Sequence, residues 1–334
     1  MRVTSRILPL LLVTWILPAV GACRSTPPNQ QPHILVILTD DQGWGDLSLH
    51  GNEDVHTPRL DGLARSGVQF DRFYVNPLCS PTRAAFLTGR DSLRGGVWGV
   101  TRGKETLRAE ETTLAEILRA AGYRTAMVGK WHNGEHYPYS PEGQGFESFL
   151  GFRRGHWNNY FDTWLLRGTE PVRTRGYIND VLTDEALGVL EGPHDRPFFL
   201  YVAYNTPHSP FQVPDADFDR VKARGLDDRT TAVYAMVENL DHNVGRMLDA
   251  LEAHDLARDT IVVFFGDNGP NGRRFNGGMR GTKGSVHEGG VRVPCFISWL
   301  GHLEPREVAE IASGVDLLPT LLDLAGVPAP EGLA

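Results

Sequence analysis

The feature that most constrains the fold of this chain is a repeated alternation between short apolar runs and amphipathic segments of helical period. The run His33–Leu38 (HILVIL) is continuously apolar and ends in polar residues, which is typical of a strand buried on both faces. Strands are predicted at His33–Leu38, Thr125–Val128, Phe198–Ala203, Thr260–Phe265 and Val293–Trp299, and helices at Thr112–Ala121, Asp180–Leu190, Thr230–His254 and Val315–Leu324. This alternation predicts an α/β fold, with a mostly parallel central sheet and helices on both faces.

Polar residues follow directly after several of the predicted strands. In chain order they are Asp40 and Asp41, Lys130 and His132, His208, and Asp267 with Asn268. In open α/β sheets, ligands bind at the edge formed by the carboxyl ends of the strands. We therefore expect these side chains to lie along one edge of the sheet.

The acidic members of this set offer only oxygen ligands. Asp40, Asp41, Asp267 and Asn268 have no His or Cys beside them in sequence, and hard oxygen ligands favour calcium or magnesium over zinc. Each pair alone has a plainer interpretation, since Asp40-Asp41 could cap a helix and Asp267-Asn268-Gly269 could form a turn. Two such pairs after two buried strands favour a cation site.

The chain has three cysteines, Cys23, Cys79 and Cys295. Cys295 lies in an apolar run, where a buried free thiol acts as a small hydrophobic residue. Cys79 lies in a predicted Pro-rich turn beside Arg83, where packing does not explain it. A Cys79–Cys295 disulfide is the structural alternative; a chemical role for Cys79 is the functional one.

The amino-terminal residues 1–23 resemble an export signal, because Arg2 and Arg6 precede an apolar run that ends in Val20-Gly21-Ala22-Cys23. The run is short for a bilayer span and contains two prolines. Two outcomes stay open. Cys23 is lipidated and anchors a lipoprotein at the outer face of a bacterial membrane, or the signal is cleaved and the protein is released to the periplasm or secreted.

Residues 24–32, rich in Pro, Gln, Ser and Thr, are predicted to be a flexible tether. The formal net charge of -8 gives no support for binding the phosphate backbone of nucleic acids. We therefore predict no nucleic-acid partner, and contact with a membrane only through a lipid anchor at Cys23.

The segment Cys79–Arg90 (CSPTRAAFLTGR) closely resembles the signature of the formylglycine-dependent sulfatases, which are members of the alkaline phosphatase superfamily. A bare Cys-x-Pro-x-Arg is weak evidence, whereas the extended string is specific. Five further segments resemble the other motifs of the family in the family's order: Ile37–Asp46, Gly129–His132, Thr206–Pro210, Gly266–Gly269 and Lys283–Pro294.

The resemblance implies a role for each motif residue. A separate maturation enzyme would oxidise Cys79 to formylglycine, an aldehyde whose hydrate attacks the sulfur of a sulfate ester. One calcium ion would be held by Asp40, Asp41, Asp267 and Asn268 together with residue 79. Arg83 would hold the hydrated aldehyde with His132 beside it, and Lys130, Lys283 and His208 would bind the sulfate group and assist the departing alcohol.

These positions also have plainer interpretations. Lys130 and Lys283 could be surface lysines, His208 could be a turn residue, and His132 could stack on Trp131. The segment His156 to Asn159, with Trp157 and Asn158 between them, is predicted from its aromatic and amide composition to line the mouth of the substrate site.

Residues 33–334 are predicted to form a sulfatase catalytic domain without the smaller antiparallel carboxy-terminal subdomain that is usual in the family. The predicted function is hydrolysis of sulfate esters, on a sulfated carbohydrate, another sulfated small molecule or an aryl sulfate. The alternatives are a phosphonate or phosphate monoester hydrolase of the same superfamily, and an inactive protein that binds sulfated glycans.

Overall fold

The computed structural model describes residues 31–331, and within this range a sheet of ten strands forms the centre of the fold. The strands are β1 (His33–Thr39), β2 (Val68–Tyr74), β3 (Arg124–Lys130), β4 (Ser148–Phe152), β5 (Trp164–Arg167), β6 (Glu170–Arg173), β7 (Phe198–Ala203), β8 (Thr260–Gly266), β9 (Cys295–Ser298) and β10 (Arg306–Ser313). Their order across the sheet is β10-β2-β9-β8-β1-β7-β3-β4-β5-β6. The consecutive strands β8, β1, β7, β3 and β4 are parallel, whereas β9 and the β5–β6 hairpin pair in antiparallel fashion. The predicted mostly parallel sheet is confirmed.

Helices cover both faces of the sheet. They are α1 (Pro58–Arg65), α2 (Cys79–Thr88), α3 (Leu114–Ala120), α4 (Ile178–Leu190), α5 (Asp215–Lys222), α6 (Asp228–Ala253), α7 (Glu288–Val291) and α8 (Leu317–Leu324). Because side chains alternate along a strand, Leu35 and Ile37 of β1 join a core cluster that includes residues of α1, α4 and α6. Ile34, Val36 and Leu38 join a second cluster with residues of α2, α3 and α8.

The five predicted strands and four predicted helices are present, most of them with ends shifted by one or two residues. The prediction of a turn at Cys79 is wrong, because α2 begins at that residue. Pro81 lies in the first turn of α2, where the backbone N–H groups have no partner within the helix, so proline does not interrupt it. The disulfide alternative is not formed, since Cys79 and Cys295 are both free thiols.

The predicted export signal at residues 1–23 and most of the predicted tether at 24–32 lie outside the described residues, as do residues 332–334. Between residues 31 and 331, no helix combines the length and hydropathy that crossing a bilayer requires.

Candidate active site

Parallel strands at the centre of the sheet carry the predicted site residues to one edge. The register of β1 and β8 places Thr39 opposite Gly266, and the N–H of Asp267 donates to the carbonyl of Thr39 at 3.0 Å. Asp40 and Asp267 therefore leave the sheet side by side. The next strands in the order, β7 and β3, lead to His208 and end at Lys130.

Three carboxylates and one thiol meet at this edge. Ligand atoms of Asp40, Asp41, Asp267 and Cys79 all lie within 4.8 Å of one another, and all four side chains are buried. The amide of Asn268 adjoins them, since its Nδ2 donates to Asp41 Oδ1 at 2.8 Å. Residues widely separated in sequence thus form one cluster.

Three oxygens of this cluster have no hydrogen-bond partner among the described residues: Oδ1 of Asp40, Oδ2 of Asp41 and Oδ1 of Asn268. A buried acceptor without a hydrogen bond costs about 1–3 kcal/mol. An all-oxygen set of carboxylates and an amide is the donor chemistry of hard divalent cations such as calcium. These residues therefore fit such an ion.

Cys79 is the first residue of α2 and is almost fully buried. Lys283 Nζ donates to its Sγ at 3.2 Å and to Asp41 Oδ1 at 2.6 Å. Burial raises the pKa of the Cys79 thiol, and the negative charge of Asp267 adds to this effect. The thiol consequently stays protonated, and a neutral thiol is a weak nucleophile.

Arg83 fixes α2 to the acidic cluster. Its Nη1 donates to the carbonyl of Lys130 at 2.8 Å, and its Nη2 donates to Asp267 Oδ2 at the same distance. Burial, followed by repulsion from Asp40, raises the pKa of Asp267 to about 7, although Arg83 acts in the opposite direction. A bound cation would oppose this rise, because a nearby positive charge favours the anionic form of Asp267.

Lys130 is fully buried, and its Nζ donates to Asp40 Oδ2 at 2.6 Å. The interpretation of Lys130 as a surface lysine is therefore wrong. Burial works to raise the pKa of Asp40, but Lys130 and the other positive groups around it hold that pKa well below its usual range. In this arrangement the ammonium of Lys130 contacts Asp40, whereas Lys283 reaches the open cleft.

His132 follows β3 with a positive φ of 62°. Its Nε2 lies 2.9 Å from the carbonyl oxygen of Val100, and since a carbonyl can only accept, Nε2 carries the proton. Burial and then the charge of Lys130 lower the pKa of His132 well below its ordinary value. The neutral ring leaves Nδ1 as a buried acceptor without a partner among the described residues. The ring of Trp131, which was the suggested stacking partner of His132, packs edge-on against Phe146.

His208 lies in the loop after β7. Its Nδ1 donates to the carbonyl of Ser209 at 2.5 Å, so Nε2 is the nitrogen that gains or loses a proton. Nε2 lies 3.8 Å from Asp41 Oδ2. Burial lowers the pKa of His208, and Asp40 partly opposes that effect.

A cleft of about 470 Å³ opens onto this cluster. It is lined by four of the predicted residues, Cys79, His132, His208 and Lys283, and by His156 and Asn158 of the predicted mouth. Trp157 and Asn159 line an adjoining groove instead. Sequence reasoning missed four charged residues of the cleft wall: Arg102, Glu105, Glu135 and Arg154. They lie outside the strands and helices, and no periodicity or motif singles them out.

Sequence reasoning also missed Arg274. Its Nη2 donates to the backbone carbonyl of Asp41 at 2.9 Å, and its Nε donates to Asp46 Oδ1 at 2.6 Å. Asp41 has a φ of 66°, which a residue with a side chain adopts only where the surroundings enforce it. The Arg274–Asp46 pair is nearly fully buried and holds Asp41 in that conformation. Asp46 lies within the motif Ile37–Asp46, and this was the one feature of the sequence that could have indicated the role of the pair.

A family model described as Sulfatase matches residues 32–327. Arylsulfatase A of Homo sapiens is 35% identical over 356 residues, covering 94% of this chain and 67% of the human protein. N-acetylgalactosamine-6-sulfatase of Mus musculus is 34% identical over 353 residues, covering 95% of this chain and 66% of the mouse protein. The chain thus spans about two thirds of the length of these curated relatives.

The fold of this chain is also similar to that of a solved structure. The crystal structure of Ps i-CgsB in complex with k-i-k-neocarrahexaose superposes with a TM-score of 0.85 at 30% sequence identity. The match covers 91% of this chain and 74% of that chain.

Proposed function

The chain belongs to the sulfatase family, and on that premise we propose that it hydrolyses sulfate esters by means of formylglycine made from Cys79 and one bound calcium ion. The observation that carries the proposal is the meeting of Cys79 with Asp40, Asp41 and Asp267, whose ligand atoms lie within 4.8 Å of one another. The relatives also support the proposal, because arylsulfatase A and N-acetylgalactosamine-6-sulfatase are both named sulfatases and each aligns over more than nine tenths of this chain.

The cation would be held by Asp40, Asp41, Asp267 and Asn268, together with residue 79. The partnerless buried oxygens of this set support the assignment. When bound, the ion supplies positive charge that stabilises the nonbridging oxygens of a sulfate group as charge develops on them.

Residue 79 needs modification because of its surroundings. As a thiol it is buried, protonated and weakly nucleophilic. Formylglycine supplies, as its hydrate, one hydroxyl that attacks sulfur and a second whose deprotonation releases sulfate by C–O cleavage. The modification implies a separate maturation enzyme as a partner of this chain.

The remaining groups of the chain bind the anion and move protons. Lys283, 3.2 Å from Cys79 Sγ, is placed to pair with a sulfate oxygen. The amino terminus of α2, which begins at residue 79, adds the partial positive charge of a helix end. His208 Nε2, which faces the cluster, would donate a proton to the departing alcohol oxygen and then take up a new proton from solvent.

Two groups position the reacting residue. Arg83 donates to Asp267 and to the carbonyl of Lys130, so it holds α2 in register with the ends of β8 and β3. The partnerless Nδ1 of His132 would accept a hydrogen bond from the modified side chain at position 79. Lys130 would act through Asp40, its hydrogen-bond partner.

For the substrate we propose a sulfated carbohydrate. One relative is named N-acetylgalactosamine-6-sulfatase, and the neighbour Ps i-CgsB was solved with a neocarrahexaose. Export, as predicted from residues 1–23, would place the protein where such a substrate is met outside the cytoplasm.

The test is hydrolysis of 4-nitrophenyl sulfate by the chain co-expressed with a formylglycine-generating enzyme. The parent and Cys295→Ala, which removes the other buried free thiol, are expected to release 4-nitrophenol, whereas Cys79→Ala is not. Mass spectrometry of the peptide that carries residue 79 should show the lighter aldehyde form in the parent. Equal rates for the parent and Cys79→Ala would exclude the mechanism, and faster cleavage of a phosphonate monoester would favour the alternative hydrolase.

A further inference from the structure

A second groove adjoins the active-site cleft and runs toward the β5–β6 edge of the sheet. Its volume is about 410 Å³, within the range of roughly 300–1,000 Å³ found for ligand pockets. Arg154, His156 and Asn158 line both the cleft and this groove, so the two share part of their wall. We call it the arginine–tryptophan groove, after the lining residues Arg154, Trp164 and Arg173.

Trp164 gives the groove an apolar platform. It is the first residue of β5, and 55% of its surface is exposed. Trp164 pairs directly with Arg173 of β6, so both side chains lie on the same face of the hairpin. Trp157 forms a fixed wall nearby, because its ring stacks on Phe152 and its Nε1 donates to Thr163 Oγ1 at 2.8 Å.

The charge of the groove is positive, although the chain has a formal net charge of -8. Arg173 also lines an adjoining cavity together with Arg175, and neither arginine forms an ion pair within residues 31–331. Arg154 pairs with Glu135, but 70% of its side chain stays exposed. The one carboxylate that lines these two cavities within the described part of the chain is Asp162, and its Oδ1 already accepts the N–H of Gly176.

We propose that the arginine–tryptophan groove binds a second sugar unit of the substrate, and that the substrate is an oligosaccharide or polysaccharide with anionic groups on neighbouring units. The ring of Trp164 stacks on the C–H face of that sugar. The guanidinium groups of Arg173 and Arg154 bind its sulfate or carboxylate oxygens in bidentate fashion. The inference rests on the proposed function, because the cleft must hold the sulfate ester that is cleaved.

The chemistry of the groove separates this substrate from smaller ones. A monosaccharide sulfate or an aryl sulfate that fills the cleft leaves Trp164 and Arg173 without contacts. A chain with a second anionic unit reaches them without any change in the catalytic residues. The groove thus adds affinity for a longer substrate and leaves the cleavage of a short one unaffected.

The decisive experiment is isothermal titration of the Cys79→Ala chain, which has no turnover. The probes are octasaccharide fractions of chondroitin sulfate, heparin and carrageenan, each compared with its monosulfated monosaccharide. We expect at least one octasaccharide to bind about tenfold or more tightly than its monosaccharide. Trp164→Ala and Arg173→Gln, each added to Cys79→Ala, should each lose about tenfold in octasaccharide affinity, and the loss from Arg173→Gln should shrink at high salt.

Matched controls use exposed residues outside the groove. Trp98→Ala removes a tryptophan that is 58% exposed and lines none of these cavities. Arg306→Gln removes an exposed arginine of β10, at the opposite edge of the sheet. Both controls should bind the octasaccharide as the Cys79→Ala parent does.

Three outcomes would overturn the inference. Octasaccharides that bind no more tightly than monosaccharides, or equally with and without Trp164 and Arg173, would do so. A fall of kcat/KM on 4-nitrophenyl sulfate in matured Trp164→Ala as large as the loss of octasaccharide affinity would also do so, because it would show that the substitution disturbs the catalytic cleft. Failure of the parent to cleave 4-nitrophenyl sulfate bears instead on the proposed function, since the titrations require no catalysis.

Discussion

Arg83 donates two hydrogen bonds to a single carboxylate oxygen, Oδ2 of Asp267, from Nε at 3.2 Å and from Nη2 at 2.8 Å, and both side chains are fully buried. Arg83 lies one helical turn after Cys79 in α2, and Asp267 follows β8. The ion pair therefore joins the helix that carries the proposed reactive residue to the strand end that carries the proposed cation ligands. A change in this pair should affect stability and activity together.

The first prediction concerns the removal of Arg83. Arg83→Met leaves the carboxylate of Asp267 buried without its partner, which costs about 3–5 kcal/mol for a buried pair. We expect the free energy of unfolding to fall by that amount in urea titrations, and sulfatase activity to be lost. Arg90→Met, which removes the partly exposed pair with Glu111, should cost about 1 kcal/mol or less. A stability of Arg83→Met within 1 kcal/mol of the parent would show that the pair contributes little.

The second prediction concerns the cation. Calcium at 1,000 times its dissociation constant should stabilise the folded chain by about 4 kcal/mol, because it satisfies the partnerless oxygens of Asp40, Asp41 and Asn268. We expect the melting temperature measured in calcium to exceed that measured in EGTA. The difference should vanish in Asp40→Asn and persist in Asp71→Asn, whose side chain is half exposed on β2. An identical melting temperature for the parent in calcium and EGTA would rule out a calcium site here.

A third prediction concerns Lys283, whose ammonium contacts both Cys79 and Asp41. Loss of a group that stabilises transition-state charge typically lowers kcat by about 10²–10³. We expect Lys283→Ala to lower kcat/KM on 4-nitrophenyl sulfate by that factor, with Lys283→Arg intermediate. Lys222→Ala, which removes an exposed ion pair with Asp228, should leave the rate unchanged. A Lys283→Ala enzyme with the parental rate would remove Lys283 from the proposed mechanism.

The sequence predicted the central strands because their apolar runs are continuous. β7 was predicted with both ends correct, and β1 and β8 each extend one residue beyond their predicted ends. β2, β4, β5, β6 and β10 were not predicted. β2, β5, β6 and β10 lie toward the edges of the sheet and expose several of their residues, so they lack a continuous apolar run, whereas β4 is largely buried but only five residues long. Edge strands are specified by pairing with a neighbour, which composition alone does not reveal.

The candidate site was predictable where a motif stands directly after a buried strand, as for Asp40 and Asp267. The contacts between motifs were not, because strand order is a tertiary property. Nothing in the sequence indicated that Lys130 would be buried against Asp40, or that Arg274 would hold the backbone of Asp41. The roles assigned to these residues stay predictions until the variants are measured.

A fourth prediction concerns pH and stability. The buried His33 accepts the backbone N–H of Phe198 on Nδ1 at 3.0 Å, so this nitrogen carries no proton in the folded chain. Burial, with the nearby His194 and Arg124, lowers the pKa of His33 from 6.5 to about 4. Below pH 6.5 the unfolded chain therefore binds a proton that the folded chain does not. The stabilising contribution is present above pH 6.5 and is lost as the pH falls to about 4.

His33→Asn provides the measurement, because an amide oxygen can accept from Phe198 and does not titrate. Between pH 7 and pH 4 the parent should lose about 3 kcal/mol of unfolding free energy beyond what His33→Asn loses. Denaturant titrations at each pH give this difference directly. Parallel pH profiles for the two proteins would show that His33 does not control the acid sensitivity of the fold.

The last prediction concerns Gly155, which lies against the ring of His132. A Cβ at position 155 would lie 2.0 Å from His132 Nε2, the atom that donates to the carbonyl of Val100. Gly155→Ala must therefore displace the ring, and we expect kcat/KM to fall by about tenfold or more, since small misplacements of a positioning group are costly. Gly188→Ala, in α4 with open space around its Cβ, is the matched control and should keep the parental rate. If the effect passes through His132, Gly155→Ala should cost nothing further in a His132→Ala background, because a double-mutant cycle reports their coupling. Additive losses would mean that Gly155 acts on the cleft by a route other than this ring.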